Sequence, residues 1–133
     1  MNLHPLAKQC LVIGASLLSL AVLIGAFGAH GLKSIVDAEK LMTFETGVRY
    51  HFYHAFGIII VGIIQQLFHD LKLNVSLYAF LVGILLFSFN CYFYVLTGMK
   101  VFAMIVPIGG LLYVLGWTVL SVRLLKLKLF AVN

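Results

Sequence analysis

The sequence predicts an all-α membrane protein, a bundle of four transmembrane helices in up-down topology joined by short loops. Of its 133 residues, 63% are hydrophobic and 10% are charged, and the mean hydropathy is +1.12. Soluble domains are roughly 45–50% apolar and about 25% charged. The charged residues also lie between four long stretches that contain none. Composition and charge distribution therefore exclude a soluble domain.

The lengths of these stretches are typical of membrane spans. The charge-free stretches are residues 9–32, 50–68, 73–99 and 101–122. Each is close to or above the ~20 residues that a helix needs to cross about 30 Å of hydrocarbon. The predicted spans are approximately residues 9–29, 46–68, 75–97 and 101–122. Because no interval between them is long, we expect residues 1–133 to form a single integral membrane domain.

The first span is predicted to be a retained helix and not a cleaved signal peptide. Its apolar stretch is about 20 residues long, whereas the apolar region of a signal peptide has about 7–15. Ala21, Gly25 and Ala29 are spaced by four residues, and such spacing of small residues allows helices to pack closely in lipid. The interval that follows, 31–43, holds four charged residues and predicts a surface turn or a short interfacial helix.

The second span begins with a polar cluster, Phe44-Glu-Thr-Gly-Val-Arg-Tyr-His-Phe-Tyr-His54. Ionisable groups inside a membrane are costly and usually face protein or water, so this cluster is the first place to look for function. Glu45 precedes Arg49 by one helical turn, the order that favours an ion pair. We interpret the two as an interfacial ion pair.

A second group in the same cluster lies on nearly the opposite helix face and comprises Gly47, His51 and His54. His30, at the end of the first span, is expected at the same membrane boundary. Three histidines at one depth could bind a metal or a haem, or could instead cap helix ends and bind backbone carbonyls. Since no His-x3-His or Glu-x-x-His pair occurs there, we predict no metal and no cofactor. Any site is expected at the boundary between the first two spans.

Single residues mark the last two spans. Asn90 lies deep in the third span and is expected to bridge to another span or to a neighbouring protomer. Pro107 permits a kink in the fourth span, and Gly109 and Gly110 beside it are expected to allow close helix packing.

The two cysteines, Cys10 and Cys91, are not expected to form a disulfide. With alternating spans they differ in depth by roughly 24 Å at 1.5 Å per residue, which is far beyond the reach of a disulfide. We interpret both as small buried hydrophobic residues.

Four spans place both termini on the same side of the membrane. The basic tail favours cytoplasmic termini under the positive-inside rule. The net charge of +5 predicts contact of the tail with anionic lipid head groups and does not require a nucleic acid. The tail residues are Arg123, Lys126 and Lys128.

Three motifs resemble the YgdD/YwdK family of small bacterial inner-membrane proteins, a domain of unknown function with eukaryotic relatives among the small transmembrane proteins. They are Gly25-Ala-Phe-Gly-Ala-His-Gly-Leu32, Phe44-Glu-Thr-Gly-Val-Arg-Tyr-His-Phe-Tyr-His-Ala55 and Pro107-Ile-Gly-Gly-Leu-Leu-Tyr-Val-Leu-Gly-Trp117. The resemblance covers nearly the full length and implies a bacterial cytoplasmic membrane protein, with no established activity to carry over. Positions that match the family pattern are His30, Arg49, Tyr50, His54, Gly25, Gly28, Gly31, Gly47, Gly109 and Gly110.

Two positions depart from the family pattern. The family commonly has Gln where this chain has His51, which weakens a role for His51 as a metal ligand. The third-span motif, usually rich in Ser and Gly, is Phe87-Ser-Phe-Asn-Cys-Tyr92 here, which disfavours close helix approach at Phe89.

Three kinds of function stay open from the sequence, and we favour the first. It is a non-enzymatic structural, accessory or assembly subunit that forms a homo-oligomer or joins a larger membrane complex. The second is a small transporter or channel that uses His30, Arg49 and His54, and the third is a haem-, metal- or lipid-binding protein. The first span has no acidic residue, which excludes the proton-coupled mechanism of four-helix multidrug exporters. Candidate interaction residues are His30, Glu45, Arg49, Tyr50, His54 and Asn90; candidate packing residues are Ala21, Gly25, Gly28, Ala29, Gly47, Gly109 and Gly110.

Overall fold

The computed structural model describes residues 2–127, which form helices and loops and contain no strand. Four helices are each long and apolar enough to cross a membrane: α1 Pro5–Leu32, α2 Ala38–Leu67, α3 Asn74–Thr97 and α4 Lys100–Leu125. The predicted all-α architecture with four transmembrane helices is confirmed. Lys128 of the predicted basic tail lies outside the described residues.

Helix α2 begins about two turns before the predicted residue 46. Asp37 is its N-cap, and Oδ1 of this residue accepts a hydrogen bond of 2.8 Å from the backbone N–H of Lys40. An N-cap aspartate satisfies a free N–H, and Glu39 in the first turn interacts favourably with the helix dipole. The prediction of a surface turn or separate interfacial helix over 31–43 is therefore wrong in its second half, which is continuous with α2.

Two π-helical turns interrupt the regular helices. One, Gly28–Leu32, ends α1, and the other, Leu85–Phe89, lies in the middle of α3. Asn90 follows the second turn, and its Nδ2 donates a hydrogen bond of 3.1 Å to the Leu85 carbonyl. The prediction that Asn90 bridges to another span is wrong. A π turn disturbs the regular backbone hydrogen bonding of the helix that contains it, and the Asn90 amide binds one of the carbonyls affected in α3.

The helices pack in chain order as a row: α1 on α2, α2 on α3, and α3 on α4. Of the residues in the most apolar 18-residue window, 17% are buried in α1 and 22% in α4, against 44% in α2 and 50% in α3. The main core therefore centres on α2 and α3, where Ile58, Leu77 and Phe80 are buried, and it extends to Cys10 of α1 and Tyr113 of α4. Helices α2 and α4 are not direct neighbours in this row and contact each other through long side chains, such as those of His54 and Tyr113.

Glycines set the close approaches between neighbouring helices. At Gly14 of α1, a Cβ atom would lie 2.7 Å from Cδ1 of Ile59 in α2. At Gly109 of α4, a Cβ atom would overlap the backbone of Phe87 in α3. Carbon atoms in favourable contact are about 3.5–4.0 Å apart. A side chain at Gly109 would therefore displace a helix, and one at Gly14 would require the Ile59 side chain to shift. Sequence spacing missed Gly14 together with three glycines of the same kind, Gly62, Gly83 and Gly116.

The predicted packing residues do not all lie in helix interfaces. Those that are buried or in close contact with a neighbouring helix are Ala21, Gly25, Gly28, Gly47 and Gly109. Gly110 has more room, since a Cβ atom there would lie 3.8 Å from the ring of Phe87. Ala29 is exposed, because the buried stripe of α1 continues through Gly28 and Leu32 and leaves it on the outer side. Cys10 and Cys91 are free and buried, as predicted.

A buried glutamine closes the loop between α2 and α3. Gln65 is 1% exposed, and its Nε2 donates to the carbonyls of Phe68 at 3.4 Å and His69 at 3.0 Å. Its Oε1 accepts a hydrogen bond of 3.3 Å from the backbone N–H of Leu73. One amide therefore satisfies three backbone groups of the loop, a role that the sequence did not reveal.

Candidate functional site

The polar residues of α2 lie near the middle of the membrane-spanning region. The ring of His54 stacks on that of Tyr113, with centroids 3.4 Å apart and an interplanar angle of 6°. Tyr113 is close to the midpoint of α4, Lys100–Leu125, so it lies about 18–20 Å from either end of that helix at 1.5 Å per residue. His54 is therefore at mid-membrane depth, and the prediction that places it at the membrane boundary is wrong.

Contacts on the other sides of α2 give the same register. A Cβ atom at Gly47 would lie 3.2 Å from the Ser88 carbonyl, in the π turn at the middle of α3. Arg49 follows Gly47 by about half a helical turn. It therefore lies about 8 Å from His54 along the axis of α2. Glu45 lies one turn further out, at about 13–14 Å from His54. The whole cluster is thus deeper than its position at the start of a charge-free stretch suggests.

Three helices hold the ring of His54. Its Nδ1 is 2.8 Å from the Tyr50 carbonyl of α2. On its face lies Tyr113 of α4, whose hydroxyl shares a hydrogen bond of 3.3 Å with Oγ of Ser88 in α3. Only 4% of His54 is exposed, so its orientation is fixed by packing as well as by the hydrogen bond.

His51 is completely buried on the side of α2 that faces α1 and α3. Its Nδ1 lies 3.1 Å from the hydroxyl of Tyr92 in α3, and the backbone of Leu17 in α1 lies close to the same ring. Nε2 nevertheless makes no hydrogen bond of acceptable geometry within residues 2–127. Because the ring is enclosed by three helices, we assign His51 a structural role.

A groove of about 610 Å³ opens between α2 and α4 on the lipid side of His54. Tyr50, a predicted site residue, lies in this groove with its ring 4.6 Å from that of Phe87. The rings of Tyr53 and Trp117, 57% and 39% exposed, form its open edge. Clefts of ~300–1,000 Å³ with apolar walls and few polar groups are typical of small-molecule sites, so the groove has the size and character of a binding site.

Glu45 and Arg49 do not form the predicted ion pair. Both side chains are exposed, and Nη2 of Arg49 instead lies 3.4 Å from Oγ1 of Thr46. Within residues 2–127 the structure has one ion pair, between Lys40 and Asp37 at 3.9 Å.

The histidines considered as ligands do not come together. Gly28 of α1 packs on Phe44 of α2, so His30 lies near the outer part of α2, more than about 15 Å from the level of His54. His30 is exposed, whereas His54 is buried. The described part of the chain contains no group of three His, Cys, Asp or Glu residues that could hold a metal ion. The candidate site around His54 therefore lies between α2 and α4, and the predicted meeting of His30 with His51 and His54 between α1 and α2 is not formed.

Sequence reasoning missed Tyr92, Tyr113 and Trp117. Each lies in a charge-free stretch, where aromatic residues are common and carry no positional signal of their own. Their role depends on which residue of α2 they face, and that register is set by the glycine contacts between helices.

Comparisons with known proteins give a family but no function. The sequence profile of the family described as "Protein of unknown function (DUF423)" matches residues 24–110. A UPF0382 membrane protein of Staphylococcus epidermidis is 34% identical over 119 residues, which cover 90% of this chain and 97% of that protein. The UPF0382 membrane protein YwdK of Bacillus subtilis is 32% identical over 120 residues, which cover 90% of this chain and 98% of YwdK. No solved structure matches.

Proposed function

This chain belongs to the DUF423 family of membrane proteins, which has no established molecular function, and on that premise we propose that it is a non-enzymatic assembly subunit of the bacterial cytoplasmic membrane. We propose that it acts by pairing with a second copy of itself through the outward face of α2. That face is defined by three exposed residues: Glu45, Arg49 and Phe56.

Arg49 is the single observation that carries this proposal. It lies about 8 Å from the mid-membrane level of His54, is exposed, and borders a groove between α1 and α2 without an ionic partner within residues 2–127. An arginine near the centre of a membrane helix costs about 2.5–3.5 kcal/mol on insertion scales. Its contact with Thr46, at 3.4 Å, is long for a hydrogen bond and does not offset that cost. A partner that places a carboxylate within reach of the Arg49 guanidinium would offset it.

A second copy of the chain supplies such a carboxylate. Glu45 and Arg49 share the exposed face and lie one turn apart, so the face carries one acid and one base. A two-fold axis along the membrane normal brings Glu45 of each copy towards Arg49 of the other, and two-fold interfaces of this self-complementary kind are the commonest in homo-oligomers. An unrelated partner would need an acid of its own at the same depth.

The surface beside this face is shaped to receive a side chain. A groove of about 300 Å³ lies between α1 and α2, next to Glu45 and Arg49. Its floor is formed by Gly25, Gly28 and Phe44, and small residues of this kind are typical of helix interfaces in lipid. Shape and charge therefore favour assembly on the same side of the molecule.

The transporter alternative has less support. It required His30, Arg49 and His54 to line one path, and these residues are at three different levels and on different sides of α2. His51, the other buried histidine, is enclosed between helices. We therefore favour assembly over transport.

Self-association can be measured by energy transfer between donor- and acceptor-labelled copies, diluted into liposomes of increasing lipid content. A cysteine in place of exposed Ser34 takes the label, because Cys10 and Cys91 are buried. Interhelical polar contacts in membranes contribute about 0.6–2 kcal/mol each. Because Arg49→Gln removes both ion pairs of the dimer, it is expected to weaken association by about 8–900-fold. The matched control is Lys100→Gln, an exposed cation outside this face, which is expected to leave association unchanged.

A mixing experiment tests the reciprocal geometry. Copies with Arg49→Gln retain Glu45, and copies with Glu45→Gln retain Arg49, so a mixed dimer keeps one of the two ion pairs. We expect the mixed dimer to be more stable than the dimer of either variant alone. If Arg49→Gln associates as tightly as the natural sequence, the side chain reaches the lipid head groups and the proposal is wrong.

For orientation, we propose that both termini lie in the cytoplasm. Arg123 and Lys126 at the end of α4 support this, because cytoplasmic ends carry an excess of Lys and Arg and attract anionic lipids. Labelling of single cysteines at Ser34 and at Lys126 with an impermeant reagent in intact cells tests the assignment. Access to position 126 from outside would reverse it.

A further inference from the structure

We propose that the groove between α2 and α4 binds a membrane-soluble hydroquinone-type lipid, whose ring hydroxyl donates a hydrogen bond to Nε2 of His54. The groove lies on a different side of α2 from the small-residue groove against α1, so this site does not depend on the proposed self-association. The argument rests on the tautomer of His54, on the accessibility of its second nitrogen, and on the shape and depth of the groove.

The tautomer of His54 follows from its hydrogen-bond partner. Nδ1 lies 2.8 Å from the backbone carbonyl of Tyr50. A carbonyl oxygen only accepts hydrogen bonds, so Nδ1 carries the proton and donates. In the neutral imidazole the other nitrogen, Nε2, then has a free lone pair and acts as an acceptor.

Nε2 of His54 is a buried acceptor in the groove. Apart from the Tyr113 hydroxyl, the other polar side-chain atoms of the groove belong to exposed residues, which are Tyr50, Tyr53, Trp117 and Thr118. Nε2 of His54 makes no hydrogen bond within residues 2–127, and it is not one of the two fully enclosed unpaired atoms of that range, Nε2 of His51 and Oγ of Ser76. His54 instead lines the groove. The neighbouring hydroxyl of Tyr113 is already paired with Ser88. A buried acceptor in an apolar site favours a ligand with a donor and disfavours one that can only accept.

The walls of the groove favour a planar ring on an apolar chain. Tyr53 and Trp117 present partly exposed aromatic faces, and aromatic rings stack favourably in offset geometry. The cavity of about 610 Å³ accommodates a substituted ring with part of a hydrocarbon chain. Because the groove opens at mid-membrane depth, the ligand enters from the lipid and the rest of its chain extends into it.

The chain contains a reporter at the site. Trp117 is its single tryptophan and lines the groove. Its indole N–H resonance, followed in lipid nanodiscs, therefore reports on occupancy of this groove without labelling. The probes are decylhydroquinone, its dimethyl ether and decyl-1,4-benzoquinone, which share the ring and the chain but differ in hydrogen-bonding groups.

We expect decylhydroquinone to bind about tenfold more tightly than the dimethyl ether, since one hydrogen bond to a buried acceptor differs by about that factor. The benzoquinone, which has no donor for Nε2, is expected to bind more weakly than decylhydroquinone. His54→Phe keeps a ring to stack on Tyr113 but removes the acceptor, so it should bind all three probes alike. His30→Phe, the same change at an exposed position outside the groove, should bind as the natural sequence does.

Two outcomes overturn the proposal. One is equal binding of decylhydroquinone and its dimethyl ether to the natural sequence, which would mean that Nε2 of His54 does not select the ligand. The other is the absence of any saturable shift of the Trp117 resonance. Both are measured on the natural sequence, so the test does not depend on the folding of the His54→Phe variant.

Discussion

Replacement of Gln65 by leucine tests whether one buried amide holds the loop between α2 and α3. Leucine is similar in size but has no polar group, so the change removes three hydrogen bonds without a large cavity. Phe68 and His69 are exposed, and their carbonyls can bind water instead. Leu73 is completely buried, so its N–H would be left without a partner at a cost of about 1–3 kcal/mol. We expect Gln65→Leu to lower the free energy of unfolding by about 2 kcal/mol.

The matched control is Gln66→Leu, one residue along. Gln66 accepts a hydrogen bond of 2.8 Å from the backbone N–H of His4 and donates to the exposed Asn2 carbonyl. Both partners can turn to water, so a loss below about 1 kcal/mol is expected. Unfolding by detergent titration in mixed micelles gives the free energies, and amide exchange at Leu73 reports the loop directly. Equal losses in the two variants, or no change in exchange at Leu73, would refute the reasoning.

Two further predictions concern contacts between helices. His51→Leu should lower the free energy of unfolding by about 1–3 kcal/mol, because the buried Tyr92 hydroxyl loses its partner. His51→Gln keeps a donor and an acceptor, so it should lower the free energy of unfolding by less than about 1 kcal/mol in the same detergent titration. Gly109→Leu should separate α3 from α4 and destabilise the protein by more than about 2 kcal/mol. Gly110 has more room, so Gly110→Ala should change the stability by less than about 1 kcal/mol. A Gly109→Leu protein as stable as the natural sequence would contradict the close packing at Gly109.

The fold could be predicted from the sequence because its evidence is local. A stretch without charges is sufficient to indicate a span, whatever it packs against. The early start of α2 could also have been predicted, since Asp37 followed by Glu39 is a favourable helix start. The density of charged residues over 31–43 instead favoured a surface segment. In the structure the helix begins directly after Asp37, although the segment is too polar for hydropathy to place it in a span.

The candidate site could not be predicted because it depends on helix register. His54 meets Tyr113 across 59 positions of sequence, and nothing in either stretch marks the pair. The register follows from close approaches such as Gly47 on α3 and Gly109 on Phe87, where a single added atom would be excluded. The amide of Asn90 likewise required the π turn beside it, and such a turn has no clear sequence pattern.

The polar groups near the membrane centre differ in how far the fold itself satisfies them. Asn90 binds a carbonyl of its own helix, and Tyr113 binds Ser88; these groups stabilise the row of helices and need nothing more. Arg49 and Nε2 of His54 lie at different levels, about 8 Å apart along α2, but each lies at an open surface without a strong partner. Because unsatisfied polar groups are costly in lipid, these two positions are where a second chain and a ligand would lower the free energy most. The two interactions use different surfaces of α2, so loss of one in a variant should leave the other measurable.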